Sequence, residues 1–345
     1  MNETKQRIIY YDILRIVAIF GVLFNHTGAR GYTLYQTCDS SWLQLLEMTV
    51  TVFCKMGVYI FFMISGALLL KREQEETKKE ISRFVRIAAA LLLGSGGIYL
   101  YNVFAGNIPL NPVDFLLKIY QGNLATSYWY LYAYLEFLLL LPFLRILAHK
   151  LSDRQFVYLF VLYLVFFDVI SLCNLLVEGG CALSMPPVLE KAVFFPLLGY
   201  YADCRFKVGR KHLKYLTCAG LTGFLVNIVL MYWKHTVSGE WGSDPFLFFI
   251  EIWSVTLFLT VKRMTTDMKI SPGFSRLIAA LGKSTFGIYL FEFFLKKIVD
   301  LVFLRIHIQW QNRLIDTVVY LVILFAFGAG AVTALSKLPI LKKIL

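Results

Sequence analysis

Charge is what this sequence has least of. Only 16% of its 345 residues are Asp, Glu, Lys or Arg, against about 25% in an ordinary soluble domain. Long polar stretches are also missing, so no loop is long enough to build a soluble core of its own. The motifs of several common engines are absent. There is no phosphate-binding loop, no HExxH, no Cys-x-x-Cys and no nucleophile elbow. These absences argue against an ATP-driven pump and against a membrane metalloprotease. The six cysteines are scattered without metal-ligand spacing. Cys38 and Cys181 can share a compartment, but nothing in the sequence brings them together, and small apolar filler is the simpler reading. No bound metal is expected.

What is present is apolar and aromatic. Hydrophobic residues make up 58% of the chain, with 30 Phe and 20 Tyr, and mean hydropathy is +0.66. Aromatic belts suit membrane interfaces. Windows of about 17–25 apolar residues, the length that crosses about 30 Å of hydrocarbon, predict about ten transmembrane helices. They begin near Tyr10, Val50, Phe84, Trp129, Phe156, Val188, Tyr215, Phe246, Leu277 and Leu314. The sequence therefore predicts an all-α, polytopic integral membrane protein, with residues 1–345 forming one transmembrane domain. The first apolar run lacks a small-residue cleavage site and is expected to stay as an anchor.

Net charge is +12. In a soluble chain this would suggest nucleic acid, but here basic residues gather in alternate loops, among them Lys71, Arg72, Lys78, Lys79, Arg205, Lys207, Lys262 and Arg263. The positive-inside rule places those loops and both termini in the cytoplasm, which requires an even number of crossings. No nucleic-acid module is visible.

Candidate chemistry lies in polar residues embedded in apolar runs, because ionisable groups in a bilayer usually face a bundle interior or a cavity. Arg15 and His26 lie in the first run, YYDILRIVAIFGVLFNH, eleven positions apart. That is about three helical turns, so the two share a face and are separated by roughly 16 Å. The competing reading is a snorkelling arginine and an interfacial histidine. Imidazole is the side chain able to take a proton from a hydroxyl near neutral pH. Arg83 and Arg86, one turn apart at the head of the third span, form a pair suited to polyphosphate, although ordinary positive-inside charge explains them as well. Glu136 and Glu292 are deep carboxylates that each call for a proton, a partner or a cavity. Asp168 and Glu251 read as helix-end residues kept solvated, and Lys283 as interfacial.

The ordered set of segments resembles the acyltransferase 3 family of bacterial integral-membrane acyltransferases. YYDILRIVAIFGVLFNH is similar to that family's first span, with Arg15 and His26 at its basic and histidine positions. FFMISGALLL (61–70), the Arg83/Arg86 pair, WYLYAYLEFLLLLP (129–142), FFPLLGYY (194–201) and GKSTFGIYLFEFFL (282–295) resemble later segments in the right order. Family members often carry a histidine after the IYL of the ninth span, where this chain has Glu292 after Phe291. The resemblance is to the stand-alone form, so the appended esterase-like domain of some relatives is not expected.

The resemblance implies O-acyl transfer in a bacterial inner membrane. The donor would be cytoplasmic acyl-CoA, acetyl-CoA by default, used as a co-substrate with no permanently bound cofactor. The acceptor would be a hydroxyl of an envelope glycan or lipid-linked sugar. CoA phosphates would rest on Arg83 and Arg86 and the thioester would approach His26, with Arg15, Glu136 and Glu292 completing the site. A transporter of a glycan or small polar solute, using the same buried charges as a pathway, is the alternative.

Overall fold

In the computed structural model the described residues are 8–38, 40–177, 180–241, 246–268, 270–306 and 313–345. Among them the chain is 82% helix and contains no strand. The helices are α1 (Ile9–Asn25), α2 (Ser41–Cys54), α3 (Gly57–Leu69), α4 (Thr77–Phe104), α5 (Pro112–Gln121), α6 (Trp129–Lys150) and α7 (Asp153–Tyr163). They continue as α8 (Ile170–Leu176), α9 (Lys191–Tyr200), α10 (Arg210–Ser238), α11 (Ile250–Asp267), α12 (Pro272–Ile306), α13 (Arg313–Leu335) and α14 (Pro339–Ile344). Each sequence window predicted to cross the membrane falls on one or more of these helices. Among the described residues six segments are long and apolar enough to cross: 41–69, 77–104, 126–150, 153–175, 210–238 and 313–335.

The boundaries differ from the hydropathy windows where local chemistry intervenes. The second window is two helices, α2 and α3, interrupted at Lys55 and Met56. The fifth is α7 and α8 joined through a π-helical turn, Leu164–Val169. α7 starts at a capping box in which the Ser152 hydroxyl accepts from the Gln155 N–H and the Gln155 side chain accepts from the Ser152 N–H. The short α5 lies between the windows predicted to begin near Phe84 and Trp129. Asn111 accepts from the Val113 and Asp114 N–H groups, Pro112 opens the helix, and left-handed Gly122 closes it.

The chain divides into two compact units. Residues 1–73 and 142–282 form the first, and residues 74–141 and 283–345 the second. In the first unit α3 and α9 pack closely, α1 packs against α2, α3 and α11, and α10 packs against α11. Glycine permits this closeness. A Cβ on Gly66 would stand 1.9 Å from the Pro196 carbonyl oxygen, and one on Gly199 would stand 2.1 Å from that of Met63. Within a membrane, small residues at helix crossings let dispersion contacts do what hydrophobic burial cannot. Arg145 and His149 contribute from the side, their Nε and Nε2 atoms meeting the terminal α3 carbonyls of Leu69 and Leu70 at 3.0 and 2.9 Å.

In the second unit α4 packs against α5 and α14. The Tyr128 hydroxyl donates to the Leu290 carbonyl at 2.6 Å. Apolar side chains project outward from many helices, among them Phe143 (66% exposed), Leu221 (60%) and Leu304 (71%). A water-soluble monomer rarely exposes apolar surface on this scale, whereas a lipid-facing surface requires it.

Candidate functional site

In the first unit, Arg15 lies within α1 and His26 is the residue that caps its C-terminus. Arg15 has a partner one turn back, its Nη1 lying 2.8 Å from Asp12 Oδ1. The Asp12 side chain is only 1% exposed and that of Arg15 is 27% exposed. Gly282 keeps space beside this carboxylate, since a Cβ there would stand 2.6 Å from Asp12 Oδ1. His26 is half-buried at the C-terminal end of α1 and its backbone N–H closes the helix on Val22 and Leu23. Asn25 donates from Nδ2 to the Cys54 carbonyl at 3.0 Å, tying this end of α1 to the end of α2.

The opposite end of α1 is held by a second charged cluster. Asp203 lies in a π-helical turn after α9 (Tyr201–Arg205). Its carboxylate accepts from the hydroxyls of Tyr10 and Tyr11, the latter at 2.8 Å. Lys262 of α11 meets it at 2.8 Å and also donates to the Asp203 carbonyl at 2.6 Å. Burial alone would raise the Asp203 carboxyl, but the Lys262, Tyr10 and Tyr11 donors together outweigh it and hold it below the ordinary carboxylate value. Beside it opens a cleft of about 390 Å³ whose lining includes Arg205, Lys207, Lys262 and Arg263. Arg205 is engaged by Asp153 at 2.8 Å. Such a cleft suits an anionic group.

The second unit holds Arg83, Arg86, Glu136 and Glu292. Arg83 makes a two-pronged contact with Glu75 at 2.5 and 2.7 Å, and the Glu75 side chain is 3% exposed. Arg86 is exposed on the same helix. Glu136 lies on an exposed face of α6. Glu292 is buried (3% exposed), with Lys296 Nζ 3.5 Å away one turn on. The hydroxyls of Tyr128 and Tyr289 lie within its electrostatic reach.

The structure thus sets Arg15 on α1 and His26 at that helix's C-terminal cap in the first unit, and the arginine pair, Glu136 and Glu292 within the second. Lys283 is exposed. Asp168 and Glu251 are not the solvated helix-end residues expected from sequence. They are 0% and 5% exposed, because the π-helical turn and the start of α11 both face into the first unit. All six cysteines are free, so Cys38 and Cys181 do not pair. Among the described residues no cluster of three or more His, Cys, Asp or Glu is arranged to hold a metal.

Sequence reasoning missed Asp12, Glu75 and the Asp203–Lys262 contact. Asp12 was readable in principle, since it precedes Arg15 by three positions on one helix face. The other two pairs join residues whose meeting depends on the tertiary fold.

An all-helical chain with several helices long and apolar enough to cross a bilayer belongs to the class of multi-pass membrane proteins. The particular assignment comes from comparison with known families. Residues 8–336, nearly the whole chain, match the family described as an acyltransferase domain, and the chain belongs to this acyltransferase 3 family. No curated protein and no solved structure matches it.

Proposed function

We propose that this chain is a membrane O-acyltransferase that moves an acyl group, acetyl by default, from acyl-CoA to a hydroxyl of an envelope glycan or another exported acceptor. In this reading it crosses a bacterial inner membrane ten times with both termini in the cytoplasm. The observation that supports it most is the placement of Arg15 within α1 and of His26 at the cap of that same helix, in a chain that matches the acyltransferase family almost from end to end.

The chemistry balances without a metal or a permanently bound group. The His26 imidazole takes the proton from the acceptor hydroxyl as its oxygen attacks the thioester carbonyl carbon. The C–S bond then breaks, and the departing thiolate takes that proton back from the imidazolium. The products are the ester and free CoA. A positioned general base of this kind contributes about 10²–10⁴-fold in rate. Arg15, held by Asp12, supplies positive charge from α1.

For the donor phosphates, Arg83 and Arg86 are the first candidates. Glu75 already occupies both terminal nitrogens of Arg83, so an incoming phosphate must displace it. The cleft containing Lys207 and Arg263 is the competing position.

The test uses membranes containing the full chain and acyl-CoA labelled in the acyl group. Label loss from CoA and its appearance in envelope material are followed. His26→Ala is expected to lose at least 100-fold in transfer. Arg83→Ala/Arg86→Ala is expected to raise the KM for acyl-CoA, and Lys207→Ala/Arg263→Ala is not. The reverse pattern moves the donor site to the cleft. Wild-type protein that consumes no acyl-CoA in native envelope membranes sinks the enzyme reading. The buried Glu292 beside Lys296 would then favour the alternative, a transporter of a glycan or small polar solute.

A further inference from the structure

Asp168 and Glu251 are two buried carboxyls brought near one another by a π-helical turn and the head of α11. A π-helical turn, Leu164–Val169, carries Asp168 inward, and such turns inside α-helices are frequent at functional sites. Phe249, at the head of α11, is held in the left-handed region at φ +61°. That conformation costs about 1–3 kcal/mol for a residue other than glycine, and it aims the Phe249 N–H at Asp168 Oδ1, 2.6 Å away. Glu251 follows two residues later, so the same hydrogen bond places the Asp168 carboxyl beside the first turn of α11, within electrostatic reach of the Glu251 carboxyl.

Among the described residues no protein donor reaches Asp168 Oδ2 or either oxygen of Glu251. Ionised carboxylates only accept hydrogen bonds. Two of them in contact, both buried, can bond to each other only if one carries a proton. The hydroxyls of Tyr59 on α3 and Tyr163 on α7 lie within electrostatic reach of Glu251, and Tyr163 also feels Glu190. Lys191 of α9 stands 5.9 Å over the Tyr59 ring. Ser254, one turn beyond Glu251, is fully buried with no partner for its hydroxyl.

The position along the bundle follows from helix geometry. Glu251 precedes Lys262 by eleven residues on α11, about 16 Å from the Asp203 cluster. Asp168 lies fifteen residues after Asp153, which meets Arg205 next to Asp203, a distance of roughly 22 Å on an α-helical count. Both measures place the pair well inside the first unit, away from its basic end.

We propose that the Asp168–Glu251 pair is a proton-binding site, holding one proton between its two carboxyls at neutral pH. Its ligand is the proton itself, bound where one excess negative charge is tolerated and two are not. This inference does not depend on the acyl-transfer reading and survives its failure.

Infrared spectroscopy of the purified full chain in lipid nanodiscs tests it across a pH series. Wild-type protein is expected to show a protonated-carboxyl band at neutral pH that is lost in Asp168→Asn/Glu251→Gln, a pair of near-isosteric changes. Wild-type protein grown separately with carboxyl-¹³C Asp and carboxyl-¹³C Glu needs no substitution, and the band is expected to shift with each label because the proton is shared. A neutral-pH spectrum unchanged by the double substitution overturns the proposal. Should that variant fail to fold, a band insensitive to the Asp label in wild-type protein overturns it equally.

Discussion

Asp203 shows how much one carboxylate can organise. It receives two tyrosine hydroxyls from the start of α1 and a lysine from α11, so three segments meet on it. Its folded pKa is depressed, which makes its contribution to stability full above the unfolded value. That contribution is lost as pH falls through the folded value, in a window below about pH 4. Asp203→Asn is expected to remove this acid sensitivity and to cost about 1–3 kcal/mol at neutral pH, the range for hydrogen bonds to a charged group with a partly exposed lysine partner. Thermal unfolding in detergent at several pH values measures both effects. The neighbouring thiol offers a second readout. Burial, together with the Asp203 charge, pushes Cys204 up to about 11, so little thiolate exists at neutral pH. Removing the Asp203 charge lowers that value, and alkylation of Cys204 is expected to accelerate in Asp203→Asn. An unchanged or slower rate would show that the carboxylate does not control the thiol.

The same scale explains which residues the sequence could reveal. Arg15 and His26 stand out because charge and imidazole are rare in an apolar run. Asp12, the local partner of Arg15, precedes it by one turn. Glu75, by contrast, is one acid in a strongly charged loop, and nothing local selects it as the residue that grips Arg83. Asp168 and Glu251 read as ordinary helix-end residues because a π-helical turn and a left-handed phenylalanine leave no signal in hydropathy. Burial of those carboxyls is decided by the tertiary fold, which a single sequence does not list.

Among the elements, the α3–α9 crossing is the most sensitive to a single atom. Gly66 and Gly199 face backbone carbonyls rather than flexible side chains, so an added methyl group cannot be absorbed by a rotamer change. Gly66→Ala or Gly199→Ala is expected to force the helices apart and to destabilise the protein by at least about 1–3 kcal/mol, the usual cost of overpacking. Gly330 in α13 has open space around its Cβ position. Gly330→Ala is expected to be neutral or to stabilise by about 0.5–1 kcal/mol through helix propensity. Comparing the melting temperatures of the three variants separates packing from propensity, and equal effects at Gly66 and Gly330 would refute the argument. Long apolar helices such as α4 and α13 were legible because their hydropathy persists for many turns. The short α5 was not, although Asn111-Pro112 and Gly122 mark its ends, because its apolar residues stay exposed: Val113 at 65%, Leu116 at 62% and Tyr120 at 88%. A helix with so much apolar surface outward fits a membrane interface better than water.

At the scale of the whole molecule, the open question is the number of crossings, and α9 decides it. Only ten residues long, α9 does not meet the length needed to span hydrocarbon by itself. Yet residues 192–200 are all buried, so protein surrounds this helix and lipid thickness does not set its required length. The native cysteines already report on it. In the ten-crossing arrangement four crossings separate Cys38 from Cys181, placing both outside, and α9 alone separates Cys181 from Cys204. A membrane-impermeant maleimide added to intact cells is therefore expected to label Cys38 and Cys181, while Cys204 reacts only after permeabilisation. Single-cysteine variants keep the signals apart, and alkaline labelling offsets the raised pKa of Cys204. Labelling of Cys181 and Cys204 from the same side would mean that α9 does not cross, and the arrangement would fall from ten crossings to an odd number. Both termini could then no longer share the cytoplasm, and the basic cleft beside Asp203 would be displaced from the side where acyl-CoA is made.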